Sequence, residues 1–272
     1  LKKFLKKILP DVVFISMKKI YRFFVKPNHA SGVNYKSVTI NEGIFDLLHF
    51  NKNEVKKILD KHGYSYHDSN LSWHYHIFAG WSDYRDRNNM KVKNILEIGT
   101  HDGTFTHFLS NLFNDSTVYT IDLPRDDQQF VNSYNRETSD KLTKFLKIRE
   151  KNLNKKNVKF IELNSIHILS YFSDMKFDAI WIDGDHHDPQ VTIDLVNCIN
   201  LLNLDGIMCN DDVIQSKDHE KDAYVSNESF KTLQHLEKNK ILKNQFIVKR
   251  TRNSESKIQK FISVSKINSF IG

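Results

Sequence analysis

Two short stretches concentrate the residue types that move protons or hold cations. One is Trp181-Ile182-Asp183-Gly184-Asp185-His186-His187, and the other is Asn210-Asp211-Asp212. Each follows an apolar run (FDAI in one case, GIMC in the other) and so stands at the carboxyl end of an expected buried strand. If those strands are neighbours, three or four carboxylates converge. Closely packed like charges resist ionising together, so something must neutralise them. A hard divalent cation on oxygen ligands is one solution, and Mg²⁺ suits a few carboxylates plus waters. Shared protons and pairing with Lys or Arg are the others. Asp211 could also cap the segment after it.

A second constellation lies upstream. The strand KNILEIGT runs into HDGTFTHFL, giving Glu97-x-Gly99-x-x-x-Gly103 at a strand-to-helix turn. Gly99 permits a tight backbone path and close approach of a ligand. Gly103 lets the following helix pack near the strand. The next strand, VYTID, ends in Asp122, 23 residues after Gly99. A carboxylate there can accept both ribose hydroxyl protons. The chain has only 9 glycines in 272 residues, and four of them (Gly99, Gly103, Gly184, Gly206) lie in the βα region. Their spacing is not G-x-G-x-x-G, and the pyrophosphate fingerprint of dinucleotide sites is absent.

The elements that must position these residues follow from periodicity. Strands are expected at Lys93–Ile98, Val118–Ile121, Val158–Leu163, Phe177–Ile182 and from Gly206. Helices are expected at Gly103–Phe113, Ser139–Asn152, Ile166–Phe172, Gln190–Leu202 and Asn227–Lys238. Alternation of this kind implies a parallel sheet covered on both faces. Two last strands, Gln245–Arg250 and Lys260–Ser265, joined by a short polar turn, imply an antiparallel hairpin at the sheet edge. Upstream, residues 52–62 read as a helix capped by Asn51 or Asn53 and ended by Gly63, residues 28–50 give no clear pattern, and residues 71–90 read as aromatic and irregular.

The glycine turn, Asp122 and this layout resemble the class I S-adenosylmethionine (SAM)-dependent methyltransferases over about residues 92–265. The resemblance implies an α/β fold: a Rossmann-like seven-stranded sheet, mostly parallel with a terminal antiparallel hairpin, helices on both faces, and an N-terminal helical extension. It places the methyltransferase domain at 91–272 and a basic amphipathic extension with a lid or acceptor segment at 1–90. By resemblance Glu97, Gly99, Thr100, His101 and Gly103, with Asp183 nearby, would border the methionine part of SAM, and Asp122 would bind its ribose. FIELNSIHIL looks like the adenine turn, with Asn164 where an acid is common, followed by Ser165.

IDGDHH…NDDV is similar to the metal-dependent O-methyltransferases of the macrocin and mycinamicin type, which methylate sugar hydroxyls. That likeness implies Mg²⁺ on Asp183, Asp211 and Asp212, in a family order that makes the two strands neighbours. It implies Asp185 as general base, with His186 and His187 as rivals. The tyrosine often found just after that motif is replaced by His187 and Asp188. The implied activity is methyl transfer to a hydroxyl of a sugar or another small molecule, as in surface-polysaccharide or natural-product biosynthesis. A metal-independent methyltransferase on another acceptor, and a non-catalytic SAM-binding protein docked at a membrane, are the alternatives. The Asn/Asp-Pro-Pro-aromatic motif of base N-methylating enzymes is missing, which argues against a nucleic-acid substrate.

Composition narrows the classes further. With 39% hydrophobic and 27% charged residues the chain can build a core, which excludes global disorder. Two cysteines, Cys198 and Cys209, exclude a disulfide framework and fit a cytoplasmic protein. The net charge of +7 resides entirely in residues 1–27, which carry eight Lys or Arg and one Asp, leaving 32 basic and 32 acidic residues elsewhere. That segment has helical apolar spacing broken at Pro10 and is too often interrupted by lysines to supply the roughly 20 apolar residues of a span. It could pack on the body, on a second copy of the chain, or on the anionic inner face of a membrane. His74 and His76 would share a face if extended, a pair open to metal binding, to an acceptor wall, or to plain packing. The run Lys249, Arg250, Arg252 reads as a solvated edge. Removal of residues 1–27 is expected to weaken binding to anionic lipid vesicles in a sedimentation assay; equal binding by both forms would reject membrane contact.

Overall fold

The structure is a computed structural model and describes residues 32–133, 138–216, 227–253 and 258–268. The basic segment 1–27 lies outside the described residues. In chain order the elements are α1 Tyr35–Leu47, α2 Lys52–Lys61, α3 His74–Arg87, β1 Asn94–Ile98, α4 Thr104–Leu112, β2 Thr117–Asp122, α5 Gln128–Asn132, α6 Ser139–Leu153 and β3 Val158–Glu162. After a 3-10 turn at Ser165–His167 come α7 Ile168–Tyr171, β4 Phe177–Ile182, α8 Gln190–Leu201, β5 Leu202–Val213, α9 Glu228–Lys238, β6 Leu242–Val248 and β7 Phe261–Ile267.

Seven strands form one sheet in the order β3-β2-β1-β4-β5-β7-β6. β1 to β5 are parallel, and β7 runs antiparallel to both β5 and β6. The expected layout is therefore present, including the terminal hairpin. The apolar runs of β1 and β4 are explained by burial on both faces, since every residue of β4 is buried. On one face Ile95, Ala179, Trp181 and Cys209 pack against Phe45, Leu59, Ile77, Trp81 and Phe108 of α1 to α4. On the other, Leu96, Ile180, Ile182 and Met208 pack against Ile168, Leu195, Cys198 and Leu233 of α7 to α9. No helix among the described residues is long and apolar enough to cross a membrane.

Three helices escape the sequence reading, and two have clear reasons. α1 buries Ser37, Asn41 and Phe45 while Tyr35, Ile40 and Leu47 stay exposed, so its hydrophobic pattern is inverted. α3 was expected to be irregular, yet it is a helix buried on nearly all sides and so has no amphipathic period to detect. The third, α5, is a single short turn capped by Asp127. α2 matches its expectation: Asn51 accepts from the backbone N–H groups of Asn53 and Glu54, and Gly63 follows at a φ of +81°.

The polar face of α1 serves the sheet edge. β6 is the outer strand, and Asn41 meets its backbone twice. Its Nδ2 donates to the Val248 carbonyl at 2.9 Å, and its Oδ1 accepts from the Val248 N–H at 2.8 Å. Both contacts are buried, so their loss strands two backbone groups. Asn41→Ala is expected to destabilise the fold by about 2–4 kcal/mol in urea titration. A change below about 0.5 kcal/mol, the scale of an ordinary surface substitution, would deny this edge clamp any role.

Candidate active site

The strand carboxyl ends of β1, β2, β4 and β5 meet at one rim of the sheet. Gly99 makes the meeting possible. It has a φ of +93°, and a Cβ there would stand 2.1 Å from the Asp183 carbonyl oxygen. Side chains other than hydrogen would thus push the β1 and β4 turns apart. The turn is held by Gly99 and Thr100 N–H groups donating to the Ile121 carbonyl, and by the Asp183 N–H donating to Ile98. Gly103 caps α4 from the left-handed region at φ +73°.

Asp122 closes the far side of this turn. Its Oδ2 accepts from the His101 N–H at 3.1 Å and its Oδ1 from the Leu123 N–H at 2.9 Å. Arg149 Nη1 lies 3.6 Å from the same carboxylate. The sequence reading missed Arg149. Its guanidinium sits over the rings of Phe130, Phe145 and Phe160, centroids 4.7 to 5.0 Å away for the nearer two. His101 has a φ of +50°, and its ring meets the edge of Phe145.

Glu97 and Thr100 turn inward. Glu97 is 1% exposed, and its Oε2 accepts from the hydroxyls of Thr106 and Thr120; Thr120 also pairs with Thr100 at 2.6 Å. Burial pushes the Glu97 carboxyl up to about 8, against the opposing pull of the two hydroxyl bonds. These side chains support the loop from beneath. At the turn expected to face adenine, Asn164 Oδ1 accepts from the Ile166 N–H at 3.1 Å, and Ser165 Oγ accepts from Gln190 Nε2 at 2.8 Å. Gln190 also donates to Asp194, a buried carboxyl raised to about 6 by desolvation. The Asn164 oxygen expected to face adenine therefore already caps its own turn.

Of the three proton acceptors expected, one turns toward the acidic cluster. His186 Nε2 is 3.5 Å from Asp183 Oδ1. Asp185 and His187 pair with each other at 3.0 Å on an exposed loop. Although burial opposes it, the Asp183 bond and the charges of Asp183, Asp212 and Asp211 raise the His186 pKa. Asp183 shifts the other way: burial raises it, but His186 and the Lys249 charge outweigh that and hold it well below the carboxylate range. Asp183 is enclosed by protein yet about one-third open, 36% of its side chain facing out from the rim.

The carboxylates expected to hold Mg²⁺ have other partners. Asp211 and Asp212 are engaged by lysines: Lys249 Nζ is 2.5 Å from Asp211 and 2.6 Å from Asp212, and Lys260 Nζ is 2.9 Å from Asp212. No group of three or more His, Cys, Asp or Glu among the described residues is arranged to hold a metal ion. The residues present do not fit Mg²⁺, because an ammonium already occupies the carboxylates. Lys249 is not the solvated edge residue expected; it is 8% exposed. A signal existed: Lys249 directly follows one strand of the hairpin and Lys260 directly precedes the other. Of the alternatives open to His74 and His76, packing is the one seen, on a helix rather than an extended segment. On helix α3 positions two apart point about 200° away from each other. His76 bonds the Tyr66 carbonyl and stacks on Trp73, whereas His74 packs against Phe105 and Trp181.

This fold and rim define a class I methyltransferase architecture. Residues 96–213 match the family described as a methyltransferase domain. No curated protein matches the chain. Among solved structures, cofactor-bound Rv0187 from MTB aligns at a TM-score of 0.50 and 12% identity, over 96% of this chain and 99% of that one. An O-methyltransferase family protein from Burkholderia thailandensis aligns at 0.43 and 10%, over 71% and 60%. The SAH-bound Podospora anserina methyltransferase PaMTH1 aligns at 0.42 and 14%, over 71% and 78%. Likeness at these identities is one of fold. The methyltransferase-domain match spans residues 96–213, less than half of the 272-residue chain, and covers β1 to β5.

Glu97 gives the scaffold a pH signature. Between its ordinary value of 4.5 and its folded value of about 8, the folded chain keeps a proton that the unfolded chain releases. Stability therefore falls as pH rises through that window. Glu97→Gln keeps an oxygen acceptor and removes the titration. Its urea midpoint is expected to fall less steeply between those pH values than that of the wild type; parallel slopes would contradict the assignment.

Proposed function

We propose that the chain transfers the methyl group of SAM to a hydroxyl of a sugar or another small molecule. The observation that carries this reading is the Asp183–His186 pair beside the Gly99 turn. A hydroxyl is a poor nucleophile at neutral pH and needs a base at the reacting oxygen. SAM supplies a sulfonium-activated methyl group when bound. The acceptor oxygen forms the bond to the methyl carbon, the sulfur keeps the electron pair of the broken bond, and the hydroxyl proton leaves to a base. His186 in its neutral form is that base, and Asp183 stabilises the resulting imidazolium and orients the ring. This departs from the expectation that Asp185 would take the proton, since Asp185 is tied to His187 on an exposed loop.

The ribose of SAM is assigned to Asp122, whose charge Arg149 and two backbone N–H groups hold in place. Gly99, Thr100, His101 and Gly103 contribute backbone to the methionine end, and Asn164 and Ser165 border the adenine. The same reading makes the acceptor small and oxygen-bearing, and it takes surface-polysaccharide or natural-product biosynthesis as the setting. Mg²⁺ has no part in this scheme, because lysines hold the carboxylates assigned to it.

Calorimetric titration with S-adenosylhomocysteine (SAH) is expected to give micromolar binding at one site per chain. His186→Gln is expected to retain that binding and to lower methyl transfer to a hydroxyl acceptor by about 10²–10⁴-fold. Folded protein that binds no SAH would remove the nucleotide assignments together. Full turnover by His186→Gln would remove the base.

A further inference from the structure

The acidic cluster on β5 faces a cation that belongs to the chain. A break in the β5–β7 register between Asn210 and Val213 brings Asp211 and Asp212 to the same lysine, with Asp212 at a φ of +50°. Lys249 Nζ bonds one oxygen of each, and Lys260 Nζ takes the second oxygen of Asp212. The side chain of Asp211 is 2% exposed and that of Lys249 10%. The lysine is also fixed through its backbone. Its N–H donates to the Lys260 carbonyl at 2.9 Å, and its own carbonyl accepts from the Trp73 N–H at 2.9 Å. It stands where the two strands of the terminal hairpin open beside β5.

An ammonium carries three N–H donors. Lys249 gives one to each aspartate, and no described residue takes the third. Its charge also bears on Asp183 across the rim, as does that of His186. A divalent ion on Asp211 and Asp212 would have to share oxygens with this ammonium and stand against a like charge, in a place where water screens little. The pinned backbone leaves the lysine few ways to withdraw.

We propose that Lys249 is a built-in replacement for the divalent cation of this carboxylate cluster, so that the site binds no divalent metal and the reacting acceptor meets an ammonium instead. The inference rests on the hydroxyl-methylating reading and names the charge that reading uses. Lys249 acts here as a positioning residue: it holds Asp211 and Asp212 in place through a bond to each, and it lends positive potential to the Asp183 side of the rim.

Mn²⁺ serves as the probe, followed by electron paramagnetic resonance on the full chain, with circular dichroism confirming the fold of each variant. Wild type and Lys249→Arg are expected to show no saturable uptake up to about 1 mM, because each keeps a cation among the carboxylates. Lys249→Met exposes the carboxylates and is expected to bind one Mn²⁺ per chain at least about tenfold more tightly. A purely structural lysine would not exchange for a metal in this way. One-site Mn²⁺ uptake by the wild type overturns the proposal, and so does a folded Lys249→Met protein that takes up none. If Lys249→Met fails to fold, the wild-type and Lys249→Arg titrations still decide it. SAH titration of the same wild-type sample keeps the two readings apart. Absent SAH binding strikes the methyltransferase site, while Mn²⁺ uptake with intact SAH binding strikes only the lysine.

Discussion

The cluster of Lys249 with Asp211 and Asp212 is the interaction on which the rest of the rim depends. Two adjacent aspartates with little exposure cannot both stay ionised without a counter-charge. Removing the partner of a buried ion pair typically costs about 3–5 kcal/mol, because the remaining charge is left uncompensated. Burial, aided by the charges of Asp183 and Asp212, pushes Asp211 up to about 7 against the pull of Lys249, while Asp212, facing two lysines, shifts down. The lysines flank the two strands of the terminal hairpin, and the aspartates come from the last parallel strand. The hairpin is therefore more than an edge to the sheet. It carries the positive charge without which the carboxylates at the end of β5 would not stand together.

A second constraint is steric. The β1 and β4 turns approach so closely that only a glycine fits between them, as the 2.1 Å distance from an added Cβ at Gly99 to the Asp183 carbonyl demonstrates. This approach sets Asp183 beside the loop that leads to Asp122. The loop is stiffened from below by Glu97 and its threonine hydroxyls, and from the side by Arg149 in its aromatic enclosure. Rigid support under a binding loop keeps reacting groups aligned, which is a large part of what a methyl-transfer site must do. In the Asp183–His186 pair the two groups shift in opposite directions: His186 and Lys249 lower Asp183, while Asp183, Asp212 and Asp211 raise His186. Opposed shifts of this kind are a common mark of proton-transfer groups.

Much of the fold could be read before any coordinates. β4 falls at Phe177–Ile182 as expected, β1, β3 and α8 differ from expectation by one residue at one end, and β2 by one at each end. These elements have unbroken apolar runs or clean helical spacing. The exceptions were α1, whose buried face is polar because Asn41 serves a strand edge, and α3, which is buried on nearly every side. Periodicity reports an element only when one of its faces meets water and the other does not.

The sequence by itself determined that a parallel sheet with a terminal hairpin would form, that a glycine turn and Asp122 would stand at its rim, and that Asp183, Asp211 and Asp212 would need neutralising. Those conclusions rest on local pattern and on the number of like charges, both of which the chain carries in its order. Which cation answers the carboxylates was decided only in three dimensions, because Lys249 and Lys260 reach them from strands 37 to 48 positions away. The same holds for His186 against Asp185 and for Arg149 beside Asp122. Each depends on the direction of a side chain after distant strands pair, and no spacing along the chain encodes that direction.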